Sequence, residues 1–158
     1  MYYTHIPSPL GDLCLTSDGT ALAGLWLPTE NPKIQNMEKK PELPVFEKAA
    51  AWLSGYFVGC PGEIDFPLSP AGTNFQKRVW QILLTIPYGE TTSYGAISKQ
   101  LGPKMSAQAV GQAVGANPIA IIIPCHRIIG KDGSLTGFAG GLEMKRWLLN
   151  HEKGCEAF

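Results

Sequence analysis

Five aliphatic residues in a row, Ile119-Ala120-Ile121-Ile122-Ile123, stand between Pro118 and Pro124. No other stretch constrains the fold as much. The run is far too short to span a membrane, so it has to lie in a protein core. A proline at each end prevents regular backbone from continuing past it. Its length and β-branching predict a buried strand. Directly after it come Cys125, His126 and Arg127. A thiol is thereby placed at the rim of a core rather than on a mobile surface.

The rest of the chain divides in two. In the first half, Ser8 to Asp12 and Ser17 to Thr20 carry turn chemistry around Leu13-Cys14-Leu15, and Ala21 to Leu27 is apolar. This pattern predicts short antiparallel strands. Residues 28 to 44 are polar, hold four prolines and read as a loop. Phe46, Ala49, Leu53, Tyr56 and Phe57 then recur at helical spacing, and Gly59 ends the helix. The breaker-rich segment Pro67 to Gly72 sets a boundary between domains 1–72 and 73–158.

The second half reads as mainly helical. Phe75, Val79, Ile82, Leu83 and Ile86 mark one face of a helix that Thr73-Asn74 can cap. Ser93 can cap a short helix from Tyr94 to Leu101, Gly102-Pro103 turns the chain, and Ser106 can cap another reaching Val114. Two short helices joined by a tight turn read as a helix-turn-helix. A last helix spans Leu142 to His151, with Met144, Trp147, Leu148 and His151 aligned. The expected fold is a small α/β N-terminal domain with a short antiparallel sheet, joined to a mainly α C-terminal domain.

Charge supports different roles for the halves. The formal total is zero, but residues 1–72 hold four lysines against eight acids, and residues 73–158 nine bases against five acids. The second half could meet a phosphate backbone. The start has no basic segment followed by an apolar one, so a cytoplasmic protein without a membrane anchor is expected. Cys14, Cys60, Cys125 and Cys155 contain no C-x-x-C pair and suit neither a zinc cage nor a disulfide framework.

The thiolate, not the thiol, is the nucleophile, and lowering a thiol pKa takes a nearby base or cation. His126 and Arg127 are the adjacent candidates. In an extended strand neighbours point to opposite faces, so His126 needs a bend or a bridging water to reach the sulfur. A carboxylate behind the imidazole would fix its tautomer. Glu152, Glu143 and Asp132 all remain open on spacing alone. A lone Cys-His pair is more often a buried cysteine beside a satisfied histidine.

Ile123-Pro124-Cys125-His126-Arg127-Ile128 resembles the active-site signature of the O6-alkylguanine-DNA alkyltransferases. Ser8-Pro9-Leu10-Gly11, Ile86 to Tyr94, Ala109-Val110-Gly111, Ala116-Asn117-Pro118, Gly140-Gly141 and Leu148 to Glu152 fall in the matching order. The resemblance covers nearly the whole chain and is strongest from about residue 70. It implies that Cys125 accepts the alkyl group, that His126 deprotonates it through a water, and that Glu152 orients the histidine. Asn117 would tie the active-site turn to the helix-turn-helix. Tyr94 would help rotate the nucleotide out and hydrogen-bond the departing base. Ser93, Tyr94, Ser106, Ala107, Gln108 and Gly111 would meet DNA from its minor groove, with Ala107 small enough for close approach. Pro124, Ile128, Leu135, Phe138 and Ala139 would line the guanine pocket, within a wall running from Leu135 to Gly141.

The resemblance implies single-use repair of O6-alkylguanine, with O4-alkylthymine left open. It further implies alkylated double-stranded DNA as partner, single strands left open, a monomer, and neither cofactor nor metal. Two positions depart from the family. Gln108 stands where an arginine is usual, and Phe138 where a tyrosine is usual. Three rival functions compete. A non-catalytic lesion binder of this fold would lack the cysteine. A Cys-His-Glu thiol hydrolase would leave the helix-turn-helix without purpose. A transcription regulator would need a dimerisation element that the sequence does not offer.

Overall fold

The computed structural model describes residues 1–102, 104–135 and 137–154. Pro103 of the expected turn, Thr136 of the expected pocket wall, and Cys155 lie outside the described residues. The chain forms two compact units, Met1–Ala71 and Gly72–Phe158.

The first unit is a four-stranded sheet with one helix. Strands β1 (Tyr2–Ile6), β2 (Leu13–Ser17), β3 (Leu22–Trp26) and β4 (Glu38–Lys39) lie in the order β3-β2-β1-β4. The first three are antiparallel neighbours, as the turn chemistry predicts. β4 was not foreseen. It pairs parallel with β1 inside the segment read as loop, and its two exposed residues are too few for any periodicity. β2 is central and buried throughout. Helix α1 (Pro44–Phe57) packs on β2 and β3 with Phe46, Ala49, Leu53 and Tyr56 inward.

The second unit holds helices α2 (Asn74–Leu83), α3 (Tyr94–Leu101), α4 (Ala107–Gly115) and α5 (Leu142–Glu152). Each of the first three starts at a foreseen cap. Thr73 accepts from the amide of Gln76 in a capping box, Ser93 from Ala96, and Ser106 from Ala109. Helices α3 and α4 pack together, and the Ser98 hydroxyl donates to the Met105 carbonyl in the turn between them. Trp80, fully buried on α2, donates its indole N–H to the Ala113 carbonyl on α4 at 2.8 Å. The other three tryptophans, Trp26, Trp52 and Trp147, are half-buried.

Two expectations fail here. The aliphatic run Ile119 to Ile123 is buried but is not a strand. It is a chain of tight turns, with Ile121 in the left-handed region at φ 69°. Holding a β-branched residue there costs on the order of 1–3 kcal/mol. Burying each isoleucine side chain offsets about 1.5–3 kcal/mol, and four are buried, so burial wins. The last helix is also turned relative to its expected face. Met144, Trp147 and His151 are only half-buried, whereas Lys145, Leu148, Leu149 and Glu152 face inward. Among the described residues no helix is long and apolar enough to cross a membrane.

Candidate active site

Pro124 (φ −81°, ψ 65°) breaks the backbone, and Cys125–Arg127 form a single 3₁₀ turn. The turn supplies the bend between Cys125 and His126 that an extended strand would lack. It is closed by the Arg127 amide donating to the Pro124 carbonyl at 3.0 Å. Ile128–Ile129 (β6) then pairs parallel with Thr92–Ser93 (β5), setting Ser93 opposite Ile129. This short pair was missed in the sequence. It ties the start of α3, and so Tyr94, to the residues just after the cysteine.

Asn117 holds the entrance to the turn. Its Nδ2 donates to the carbonyls of Ile123 at 2.8 Å and Ile119 at 3.3 Å, and its Oδ1 accepts from the Ile119 amide at 3.0 Å. One buried side chain thus bonds three backbone groups, the two carbonyls also accepting from the Ile123 and Cys125 amides.

The cysteine turn is surrounded by buried charge. Cys125 is 8% exposed and not in a disulfide, and His126 is fully buried. His126 Nε2 meets Glu152 Oε2 at 2.5 Å. Glu152 is the carboxylate that spacing alone left unresolved. Glu143 is exposed on the first turn of α5, and Asp132 is exposed and accepts from the Ser134 amide and hydroxyl in its own loop. Arg127 does not serve as the cysteine's adjacent cation in the way the sequence suggested. Its Nε donates to Glu152 Oε1 at 2.7 Å, its Nη2 to Oε2 at 3.1 Å, and its Nη1 to the Ile86 carbonyl at 2.7 Å. The amide of Gly89 adds a further bond to Glu152 Oε1 at 3.1 Å. Glu152 is therefore fixed by three partners besides its own helix. Burial, first, and then Arg127 and Lys145 push the imidazole of His126 below its ordinary pKa, against the opposing pull of Glu152. This direction favours the neutral imidazole, the form able to accept a proton.

Lys145 was missed altogether. It is fully buried on α5, which packs on the cysteine turn, and it interacts electrostatically with both Cys125 and His126. Its signal was available: positions 145, 148, 149 and 152 share one helical face.

Four of the six expected DNA-contact residues line one open groove. Tyr94, Ala107, Gln108 and Gly111, with Gln112, line a cavity of about 530 Å³ on α3 and α4. Gly111 lies against Tyr94, since a Cβ there would sit 3.7 Å from the ring. Ser93 lines a neighbouring cavity of about 360 Å³ with Gly95, Ala96, Lys99 and Lys131. Ser106 caps α4 at the edge of the first groove. Of the expected pocket residues, Pro124 and Ile128 are buried beside the cysteine, Leu135 and Phe138 are half-buried, and Ala139 is exposed. Neither cavity described above takes in these last three residues. Among the described residues no cluster of His, Cys, Asp and Glu could hold a metal.

Residues 74–154 match the family described as 6-O-methylguanine DNA methyltransferase, DNA binding domain, and residues 1–70 match its ribonuclease-like domain. The chain belongs to the 6-O-methylguanine DNA methyltransferase family. A Haemophilus influenzae protein named methylated-DNA–protein-cysteine methyltransferase is 48% identical over 97% of this chain and 87% of its own. One of the same name from Methanosarcina acetivorans is 44% identical over 98% of this chain and 100% of its own. The crystal structure of Mycobacterium tuberculosis OGT in complex with DNA superimposes with a TM-score of 0.90 at 47% identity, over 98% of this chain and 94% of that one.

Proposed function

We propose that this protein repairs DNA by moving an alkyl group, typically methyl, from O6 of guanine to the sulfur of Cys125, once per molecule. The observation that carries this reading is the Cys125-His126-Glu152 arrangement beside a helix-turn-helix groove lined by Tyr94, within a chain close to half identical to methyltransferases of that name. The thiolate attacks the methyl carbon in line, a carbon–sulfur bond forms, and the carbon–oxygen bond breaks. The electron pair stays on the guanine, which takes up a proton. Displacement at an sp3 carbon needs no oxyanion hole. It needs a soft nucleophile, alignment and help for the leaving base. The neutral imidazole takes the thiol proton, directly or through a water, and Glu152 steadies the resulting cation. Tyr94, which lines the groove, interacts with the departing base in this reading.

The target carbon lies inside a duplex, so the nucleotide has to leave the stack at a cost of roughly a few kcal/mol. The reading includes a minor-groove approach through α4 to double-stranded DNA, by a monomer in the cytoplasm. Residues 72–158 hold every group assigned to the chemistry, which supports action without a second copy. The thioether has no easy exit, so one transfer ends the molecule's activity.

The test is intact and peptide mass spectrometry after mixing the protein with duplex DNA carrying O6-methylguanine. One methyl is expected on the Cys125 peptide and none in Cys125→Ser. Lesion binding without methylation would replace this reading with a damage sensor. Multiple turnover of an acyl substrate would replace it with a thiol hydrolase.

A further inference from the structure

We propose that Lys145 is the charge partner of Cys125, and that its buried ammonium makes the thiolate rather than the thiol the resting form of the nucleophile. This rests on the reading of Cys125 as nucleophile and adds a second device to the base provided by His126.

The argument starts from the charges enclosed around the turn. Among the described residues of this unit, the buried charged ones are Arg127, Lys145 and Glu152. Two are cations and one is an anion. Arg127 engages both oxygens of Glu152. With Cys125 as a thiol and His126 neutral, the enclosed set carries one net positive charge. With Cys125 as a thiolate it carries none. Enclosed charge is costly unless matched, so the ion-balanced state is favoured whatever carbonyls the ammonium also meets.

The geometry places Lys145 where this balance can act. It lies on the inward face of α5 with Leu148, Leu149 and Glu152, and α5 packs directly on the turn that carries Cys125. Helix α2 also packs on that turn, but its charged residues Lys77 and Arg78 are exposed and face away. The buried charged or titratable groups that the turn and α5 bring around Cys125 are thus His126, Arg127, Glu152 and Lys145. Burial lowers the ammonium's hold on its proton, and the negative sulfur offsets part of that loss. Each ion therefore stabilises the other. His126 then serves to take away the proton when the thiol form is present, while Lys145 sets how often it is.

The test is the pH profile of Cys125 alkylation by iodoacetamide in the full chain without DNA, read on the Cys125 peptide so that the other cysteines do not contribute. The wild-type midpoint is expected below that of an ordinary cysteine, about 8.5. In Lys145→Met the midpoint should rise by at least one pH unit. Alkylation at pH 6.5 should then fall ~10-fold or more while the alkaline plateau is kept, because the rate follows the thiolate fraction. Lys145→Arg should recover most of the loss. Should Lys145→Met fail to fold, Lys145→Gln, which also lacks the charge, is read the same way. A wild-type midpoint at or above the ordinary value overturns the proposal. So does an unchanged profile in the neutral variant, or an equal loss at every pH, which would mean altered access. The repair reading stands or falls separately, on methyl transfer from DNA.

Discussion

Glu152 shows how one residue's surroundings can be worth more than its chemistry. It lies almost entirely out of water and holds His126, both arms of Arg127 and the Gly89 amide. Removing one partner of such a set leaves the others charged and buried, a loss of about 3–5 kcal/mol. Glu152→Ala is expected to lower stability by that order in urea unfolding and to abolish methyl acceptance. A loss of activity with unchanged stability would mean that Arg127 is not held as described. Asn117 makes the same point without charge. Asn117→Ala removes three bonds and leaves the buried Ile119 amide unsatisfied, at roughly 1–3 kcal/mol for that group, while the Ile119 and Ile123 carbonyls keep only the Ile123 and Cys125 amides. Asn117→Asp should be no better, because it keeps the acceptor for Ile119 but sets a carboxylate against the Ile123 carbonyl. The urea midpoints of the two variants, both well below the wild type, check this. A near-normal midpoint for Asn117→Asp would mean that the donated bonds matter little.

At the scale of elements, the sequence was most informative where local chemistry decides. Thr73, Ser93 and Ser106 announced three helix starts, and all three are capped as their side chains suggest. It was least informative where distant packing decides. The run Ile119 to Ile123 has the composition of a strand, yet among the described residues it belongs to neither sheet, and Asn117 and bonds within its own turns hold its backbone instead. The face of α5 was misjudged because its aromatic residues outweighed a lysine in the reading. Hydropathy cannot tell that a cation belongs inside when the ions it meets come from another segment. Gly89 belongs to this scale as well. It sits at φ 84°, and a Cβ there would lie 3.2 Å from the Glu152 carbonyl oxygen. Gly89→Ala is therefore doubly disfavoured, by backbone conformation and by crowding against a helix end that carries the site. It should lower both the thermal midpoint and the methylation rate. Gly111→Ala meets only the Tyr94 ring at ordinary contact distance and should leave the thermal midpoint close to that of the wild type.

For the molecule as a whole, the buried imidazole ties stability to pH. Burial holds the folded-state pKa of His126 below its ordinary 6.5. The unfolded chain then binds a proton that the folded chain refuses. This contribution is complete above pH ~6.5 and is lost as pH falls toward the folded-state value. The urea midpoint should drop between pH 7 and pH 5, and His126→Gln should flatten that part of the profile even if its midpoint is lower throughout.

The relation to DNA is also a whole-molecule property, because the helix lining the groove carries no charge. Every residue of α4, Ala107 to Gly115, is neutral, and Gln108 and Gln112 present amides from exposed positions. Phosphate attraction therefore has to come from bases elsewhere in the second unit, such as Lys99 and Lys131 beside the start of α3. Affinity that depends on few phosphate contacts falls slowly with salt, since each contact contributes about −0.9 to the slope of log K against log salt. Gln108→Arg adds a cation at the groove without touching the enclosed charges of the cysteine turn. It is expected to tighten duplex binding at low salt and to steepen the slope by about one contact, leaving the pH profile of Cys125 unchanged. Binding isotherms at several salt concentrations, with an undamaged duplex and one carrying O6-methylguanine, check both parts. A slope unchanged by the arginine would mean that position 108 faces bases or solvent rather than phosphates. Its contribution would then be sought in the rate of nucleotide extrusion instead of in affinity.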